Sequence, residues 1–154
     1  MAEPKEPKEK TFSYYEAVGR RKESSARVRL YVVKEGIISV QKVEVAKGDI
    51  IINGKPIEKY FVGEVYKKIY LEPFRTTNTI GRFATSITVV GGGTVGQLGA
   101  VIHALSRALT KVDPEKFRTI LRKRGFLTRD ARIKERRKAG LAGKARAKKQ
   151  SPKR

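Results

Sequence analysis

The sequence predicts an α+β fold, a two-layer sheet-and-helix domain carrying a long, extended basic C-terminal tail, and three observations carry that reading. Segments of period-2 and period-3.6 hydrophobicity are intermixed without a regular βαβ repeat. Such periodicity covers roughly 110 residues, enough for one compact domain and one extension but not for a second domain. Residues 122–154 hold fifteen Lys or Arg against two acids, Asp130 and Glu135, with little apolar beyond Phe126, Leu127, Ile133 and Leu141. A segment of that composition cannot bury enough surface to offset the roughly 1–2 kcal/mol per residue that backbone ordering costs, so it takes its structure from a partner. The expected organisation is a disordered arm over residues 1–11, a globular domain over 12–125 and an extended tail over 126–154.

The arm, MAEPKEPKEK, alternates acids, lysines and prolines and has no signal-peptide hydrophobic stretch. From Ala26 the pattern is strand-like: Ala26, Val28, Leu30 and Val32 alternate with Arg27, Arg29, Tyr31 and Val33, which places two arginines on the other face. Alternation returns from Ile38 to Val45 and from Asp49 to Ile52, where Asn53-Gly54 supplies the positive φ of a two-residue hairpin turn. Ile57, Tyr60, Phe61, Val65 and Ile69 recur at helical spacing, and Pro73 is expected to stop them.

Phe83, Thr85, Ile87 and Val89 predict a strand running into Gly91-Gly92-Gly93. Beyond the glycines, Leu98, Val101, Ile102, Leu105, Ala108 and Leu109 mark the principal amphipathic helix. Its neighbouring stripe of Gly96, Gly99, Ala100 and Ala104 reads as close packing on a sheet. The next helix is punctuated at both ends, with Asp113 as N-cap, Pro114 at the first position and Gly125 just past the end. Phe117, Ile120 and Leu121 are expected inward, and Arg122, Lys123 and Arg124 occupy the last turn.

Composition narrows the chemistry. The net charge is +21, and the segment 122–154 supplies +13 of it (15 minus 2). A polyanion is therefore the expected partner, and RNA or DNA is the commonest one able to order such a tail. With no Cys and a single His, neither a disulfide framework nor a zinc site is expected, and no cofactor or metal is called for. No apolar run approaches the roughly 18 residues that span a bilayer, so a soluble cytoplasmic protein without a membrane partner is the expectation.

Gly19-Arg20-Arg21-Lys22, closed by Ser24 and Ser25, reads as a phosphate clamp, because Arg binds phosphate oxygens bidentately and Ser donates to them. A solvated turn is the alternative. Arg27 and Arg29 extend the patch. The triple glycine lacks the Lys-Ser/Thr ending of a P-loop, and a tight strand-to-helix turn is favoured over nucleotide binding. His103 has no partner for catalysis or metal binding, which leaves a structural or phosphate-facing role. Tyr14, Tyr15 and Phe126 flank the basic segments and are open to either base stacking or packing. On charge alone, a general nucleic-acid-compacting protein remains a rival, and a nucleotide-dependent enzyme built on the glycines a weaker one.

Three blocks taken in order, GRRKESSARV, GGGTVGQLGAVIHALSRAL and GFLTRDARIKERRKAGLAGKARAKKQSPKR, resemble the ninth protein of the small ribosomal subunit, a family present in all ribosomes. The resemblance covers residues 14–154. It departs from the bacterial pattern at Glu23, where a small residue is usual, and over 34–47, which is longer than in most bacterial members. The resemblance implies a fold shared with the second domain of the fifth small-subunit protein and a non-enzymatic role on rRNA of the subunit head. It would place the protein on the cytoplasmic small subunit, beside neighbouring head proteins. Arg20, Arg21, Lys22, Ser24, Ser25, Arg27 and Arg29 would then meet rRNA, and Arg122, Lys123 and Arg124 would lead the chain off the domain. Arg129, Arg132, Arg136, Arg137, Lys138, Lys144, Arg146, Lys148 and Lys149 would follow rRNA along the tail. Lys153 and Arg154 would reach the peptidyl-site tRNA.

Overall fold

A computed structural model describes residues 13–33, 37–40 and 43–147. The predicted arm over 1–11 lies outside them. The strands are β1 (Tyr14–Arg21), β2 (Ser24–Tyr31), β3 (Ile37–Val40), β4 (Val43–Ala46), β5 (Ile50–Ile52), β6 (Lys55–Pro56) and β7 (Ala84–Val90). Five of them form one sheet in the order β1-β2-β7-β5-β6, with β5 parallel to β7 and the other pairs antiparallel. β3 and β4 make a separate hairpin. The helices are α1 (Ile57–Tyr60), α2 (Glu64–Thr76), α3 (Thr94–Val112) and α4 (Pro114–Lys123). The mixed α+β architecture agrees with expectation.

Period-2 alternation in β2 and β7 puts Ala26, Val28, Leu30, Ile87 and Val89 on one face, buried against Leu98, Val101, Leu105 and Leu109 of α3 and Phe117 and Leu121 of α4. Each fully buried Leu side chain there contributes about 1.5–3 kcal/mol of transfer free energy. The small-residue stripe does what its composition implied. A methyl added at Gly19 of β1 would fall on the Ala100 carbonyl oxygen and the Ala104 amide nitrogen, and 2.9 Å from the Ala104 Cα. The sheet and α3 therefore meet backbone to backbone.

A second, smaller core lies on the opposite face of the sheet, where Ile38 and Val45 of the β3–β4 hairpin cover Tyr31, Val33, Ile51 and Ala84. This hairpin corrects the strand expected to keep Val32 inward. The ladder ends at Tyr31, Val32 is 48% exposed, and Tyr31 and Val33 are buried instead because the hairpin caps their side.

The helix expected from Ile57 to Pro73 is also corrected. The chain breaks at Gly63, whose φ of 122° no other residue type adopts readily, and α2 continues through Pro73 to Thr76. Its inward face is Tyr70, Pro73 and Phe74, whereas Val65 and Ile69 are exposed. The proline is tolerated close to the helix end, where the Thr76 and Thr77 hydroxyls donate to the Glu72 and Pro73 carbonyls at 2.8 and 2.9 Å. In α4, Asp113 accepts from the Lys116 amide as the N-cap reading requires, but Ile120 is exposed and only Phe117 and Leu121 point inward.

β1 is an edge strand, and α3 closes that edge with side chains. Arg107 donates to the Val18 carbonyl, Lys111 to the Glu16 carbonyl at 2.7 Å, and His103 Nδ1 accepts from the Arg20 amide at 3.4 Å. Four helical residues rise about 6.0 Å and two strand residues about 6.6 Å. Residues 103, 107 and 111 therefore keep pace with 20, 18 and 16, and groups that would otherwise template another strand are occupied.

Candidate nucleic-acid interface

The cationic block near the start is built differently from a Gly-started turn. Gly19 lies inside β1, and the two-residue turn is Lys22-Glu23, with Lys22 at φ 50°. Arg20 and Arg21 consequently point to opposite faces of the strand. Arg21 runs on the helix side, where a methyl on Gly99 of α3 would meet its Nη1 at 2.8 Å, and its Nη2 donates to Asp130 at 3.0 Å. Arg20 and Lys22 are exposed. Ser24 is the member of the predicted clamp that does not fit. Its hydroxyl is buried at 2% exposure against Gly92 and Gly96, because the Gly91-Gly92 turn brings α3 down onto the start of β2. A methyl on Gly92, at φ 61°, would fall on that oxygen. The triple glycine is thus a packing turn.

Ser25, Arg27 and Arg29 lie on the sheet face turned away from α3, where Arg27 is exposed and Ser25 and Arg29 are half-buried. Arg29 donates to Glu16 at 2.7 Å and sits 4.9 Å from the centroid of the Tyr14 ring. The Glu16 carboxylate strengthens the guanidinium's hold on its proton.

At the other end, Arg122, Lys123 and Arg124 are exposed on the last turn of α4, and Arg124 pairs with Glu72 at 3.2 Å. Phe126 and Leu127 pack against the main core. They anchor the root of the tail, which settles Phe126 as a packing residue. From Gly125 to Ala147 the chain forms neither helix nor strand. Arg129, Arg132, Arg136, Arg137, Lys138, Lys144 and Arg146 are all exposed there. Lys148, Lys149, Lys153 and Arg154 lie outside the described residues.

Asp130 joins the two cationic regions. It accepts from Arg21 at 3.0 Å and from Arg132 at 2.8 Å, and the Arg132 hydrogen bonds hold its carboxyl far below the usual carboxylate range. Arg21, Lys22, Arg132 and Lys134 then line one open groove of about 460 Å³ with Asp130 as its single acid. His103 lies in an adjoining cleft of about 200 Å³ with Arg20, Arg21, Phe126 and Thr128. Burial, and secondarily Arg107, lowers its pKa from the ordinary histidine value, against an opposing hydrogen bond to the Leu127 backbone. The shift favours the neutral imidazole, the form that accepts from the Arg20 amide. A cleft of about 420 Å³ beside α2 is lined by Glu44, Asp49 and Glu58 against one cation, Lys67, a net charge of the wrong sign for a polyanion.

Sequence reasoning missed the edge-closing trio and the joining role of Asp130. The trio had a signal, because 103, 107 and 111 share one helix face at i, i+4 and i+8. The Asp130 bridge had none, since it depends on where the tail root meets β1.

A family model described as ribosomal protein S9/S16 matches residues 19–154. The chain is similar to a small ribosomal subunit protein uS9 of Maridesulfovibrio salexigens, 47% identical over 145 residues that cover 94% of this chain and 98% of the relative. It is also similar to proteins of the same name from Rickettsia rickettsii, 45% identical over 97% of this chain and 86% of the relative, and from Rickettsia felis, 44% identical over 98% and 84%. A match over most of the length, with the cationic block and the basic C-terminal segment both inside it, means that the chain belongs to the ribosomal protein S9/S16 family.

Proposed function

We propose that the chain is a structural, non-enzymatic component of the cytoplasmic small ribosomal subunit that binds rRNA of the subunit head, with its C-terminal residues reaching the peptidyl-site tRNA. The observation that supports rRNA binding is the groove in which the β1–β2 turn and the root of the tail pool four cations against one acid. A phosphate backbone entering there meets Arg and Lys from two segments far apart in sequence. Phosphate contacts from two segments fix position and orientation on RNA. The tail adds six further described cations from Arg129 to Arg146, and neighbouring head proteins are its expected protein partners. Ser24, being buried, has no place in the contact set.

Binding to small-subunit rRNA is expected to fall with salt at a log-log slope of roughly 0.7–0.9 per phosphate contact. Replacing Arg20, Arg21 and Lys22 together by Ala should flatten that slope by about two units, Arg21 being the one already engaged by Asp130. Filter binding between low and moderate salt measures it, and an unchanged slope would return the block to solvent.

The tRNA contact rests on the family resemblance and on the charge of Lys153 and Arg154. Deleting those two residues should leave subunit assembly intact while weakening peptidyl-site tRNA binding by about 1–3 kcal/mol, the order of one or two charge-assisted hydrogen bonds. Because contacts to backbone carry no sequence information, tRNAs of different anticodon should lose equally. Equilibrium tRNA binding to subunits carrying full or shortened protein decides it, and equal affinities would reject the contact.

A further inference from the structure

The face of the sheet turned away from α3 is a surface that the cationic groove does not use. Beyond the β3–β4 hairpin, no helix among the described residues covers the face of β1, β2 and β7. Register places Tyr14 opposite Tyr31, Arg29 between Glu16 and Ser86, and Arg27 between Val18 and Thr88. Tyr14 is 47% exposed, with Tyr31 tilted against it at 5.5 Å and Arg29 held over its ring. The phenol is thus a fixed platform rather than a loose side chain. Glu16 is bound by Arg29, while Arg27 has no ion-pair partner among the described residues. The outer margin of the same face is the β1 edge, along which Arg107 and Lys111 lie about 6 Å apart, one helical repeat of four residues.

We propose that this face binds an unpaired stretch of RNA, with a base stacked at Tyr14 and Arg29 and its backbone following the Arg107–Lys111 margin. The proposal rests on the rRNA-binding reading and deepens it by naming the RNA class. A rigid aromatic beside a line of cations is the arrangement single strands use, since every base has a face to stack and every phosphate a charge to neutralise. A duplex could touch the margin but has no base free to stack. A protein partner is the less favoured occupant, because the face combines unpaired positive charge with hydroxyls and offers only scattered apolar residues.

The test uses the full chain, a single-stranded RNA of about a dozen nucleotides and the same RNA as a duplex, at salt high enough to suppress tail-driven binding. Tyr14→Ala should weaken single-strand binding by roughly 5- to 100-fold and leave the duplex within about twofold, whereas Tyr14→Phe, which keeps the ring, should bind nearly as well as the parent. Tyr14 supports Tyr31, so Thr88→Glu serves as a second variant remote from that pair, with the same selective loss expected. Equal loss on both RNAs, or no loss with either variant, would overturn the proposal and hand this face to protein contacts. If the parent bound rRNA with its steep salt slope and only this discrimination failed, rRNA binding would stand without this site. A parent that bound no RNA would remove both.

Discussion

Replacing Gly19 by alanine is expected to cost about 3–5 kcal/mol, a large fraction of the roughly 5–15 kcal/mol that holds a domain of this size together. The cause is local and not relieved by rotamer choice. The new methyl meets the carbonyl of Ala100 and the backbone of Ala104, so either the sheet or α3 must move as a unit. Moving α3 would also disturb its side-chain contacts to the β1 edge. Gly93→Ala is the matched control, because nothing lies within 4 Å of an added Cβ there and its φ of −111° suits any residue. It should cost less than about 1 kcal/mol. Thermal and urea unfolding followed by circular dichroism compares the two, and similar midpoints would refute the close-approach account.

Gly19 also shows where local pattern stops informing. Beside Arg20, Arg21 and Lys22, it looks like the start of a turn, yet its role is set by Ala100 and Ala104, more than eighty residues away. The same distinction separates the other readings. Asn53-Gly54 and the Asp113-Pro114 start of α4 were legible because a turn and a cap are decided by the residues that form them. The inward placement of Val32 and Ile120 was misread because periodicity gives a face but not what covers it. Val65 and Ile69 followed a helical period by spacing alone, while the packed face of α2 was Tyr70 and Phe74. For the interface, charge revealed which residues were cationic, since a large excess of Lys and Arg is visible in composition. Which of them were already held was not visible. Arg21 with Asp130, Arg29 with Glu16 and Arg146 with Glu135 are tertiary facts. The exposed Arg146–Glu135 pair is worth little, whereas Arg21 and Arg29 are held in part-buried pairs and are less free to meet a phosphate.

Ending the chain at Ala131 should produce the largest loss of RNA affinity open to a single change while leaving the domain folded. Eleven Lys or Arg follow Ala131, against one acid, Glu135. None of the described residues beyond it belongs to either buried core, and Ile133 is 59% exposed. Phe126, Leu127 and the Arg21–Asp130 pair, which fasten the tail root, are retained. The unfolding midpoint should therefore shift by no more than about 2 °C, as a change of a few tenths of a kcal/mol implies. If most of the eleven cations neutralise phosphates, the log-log salt slope on small-subunit rRNA should drop by roughly 5–8 units, and affinity near physiological salt by about a thousandfold or more. The two measurements separate the possible causes. Lost affinity with a lowered midpoint would mean that the tail supports the domain. An unaltered midpoint with a slope changed by less than about one unit would mean that the tail cations stay in solvent, and the domain surface alone would then have to account for binding.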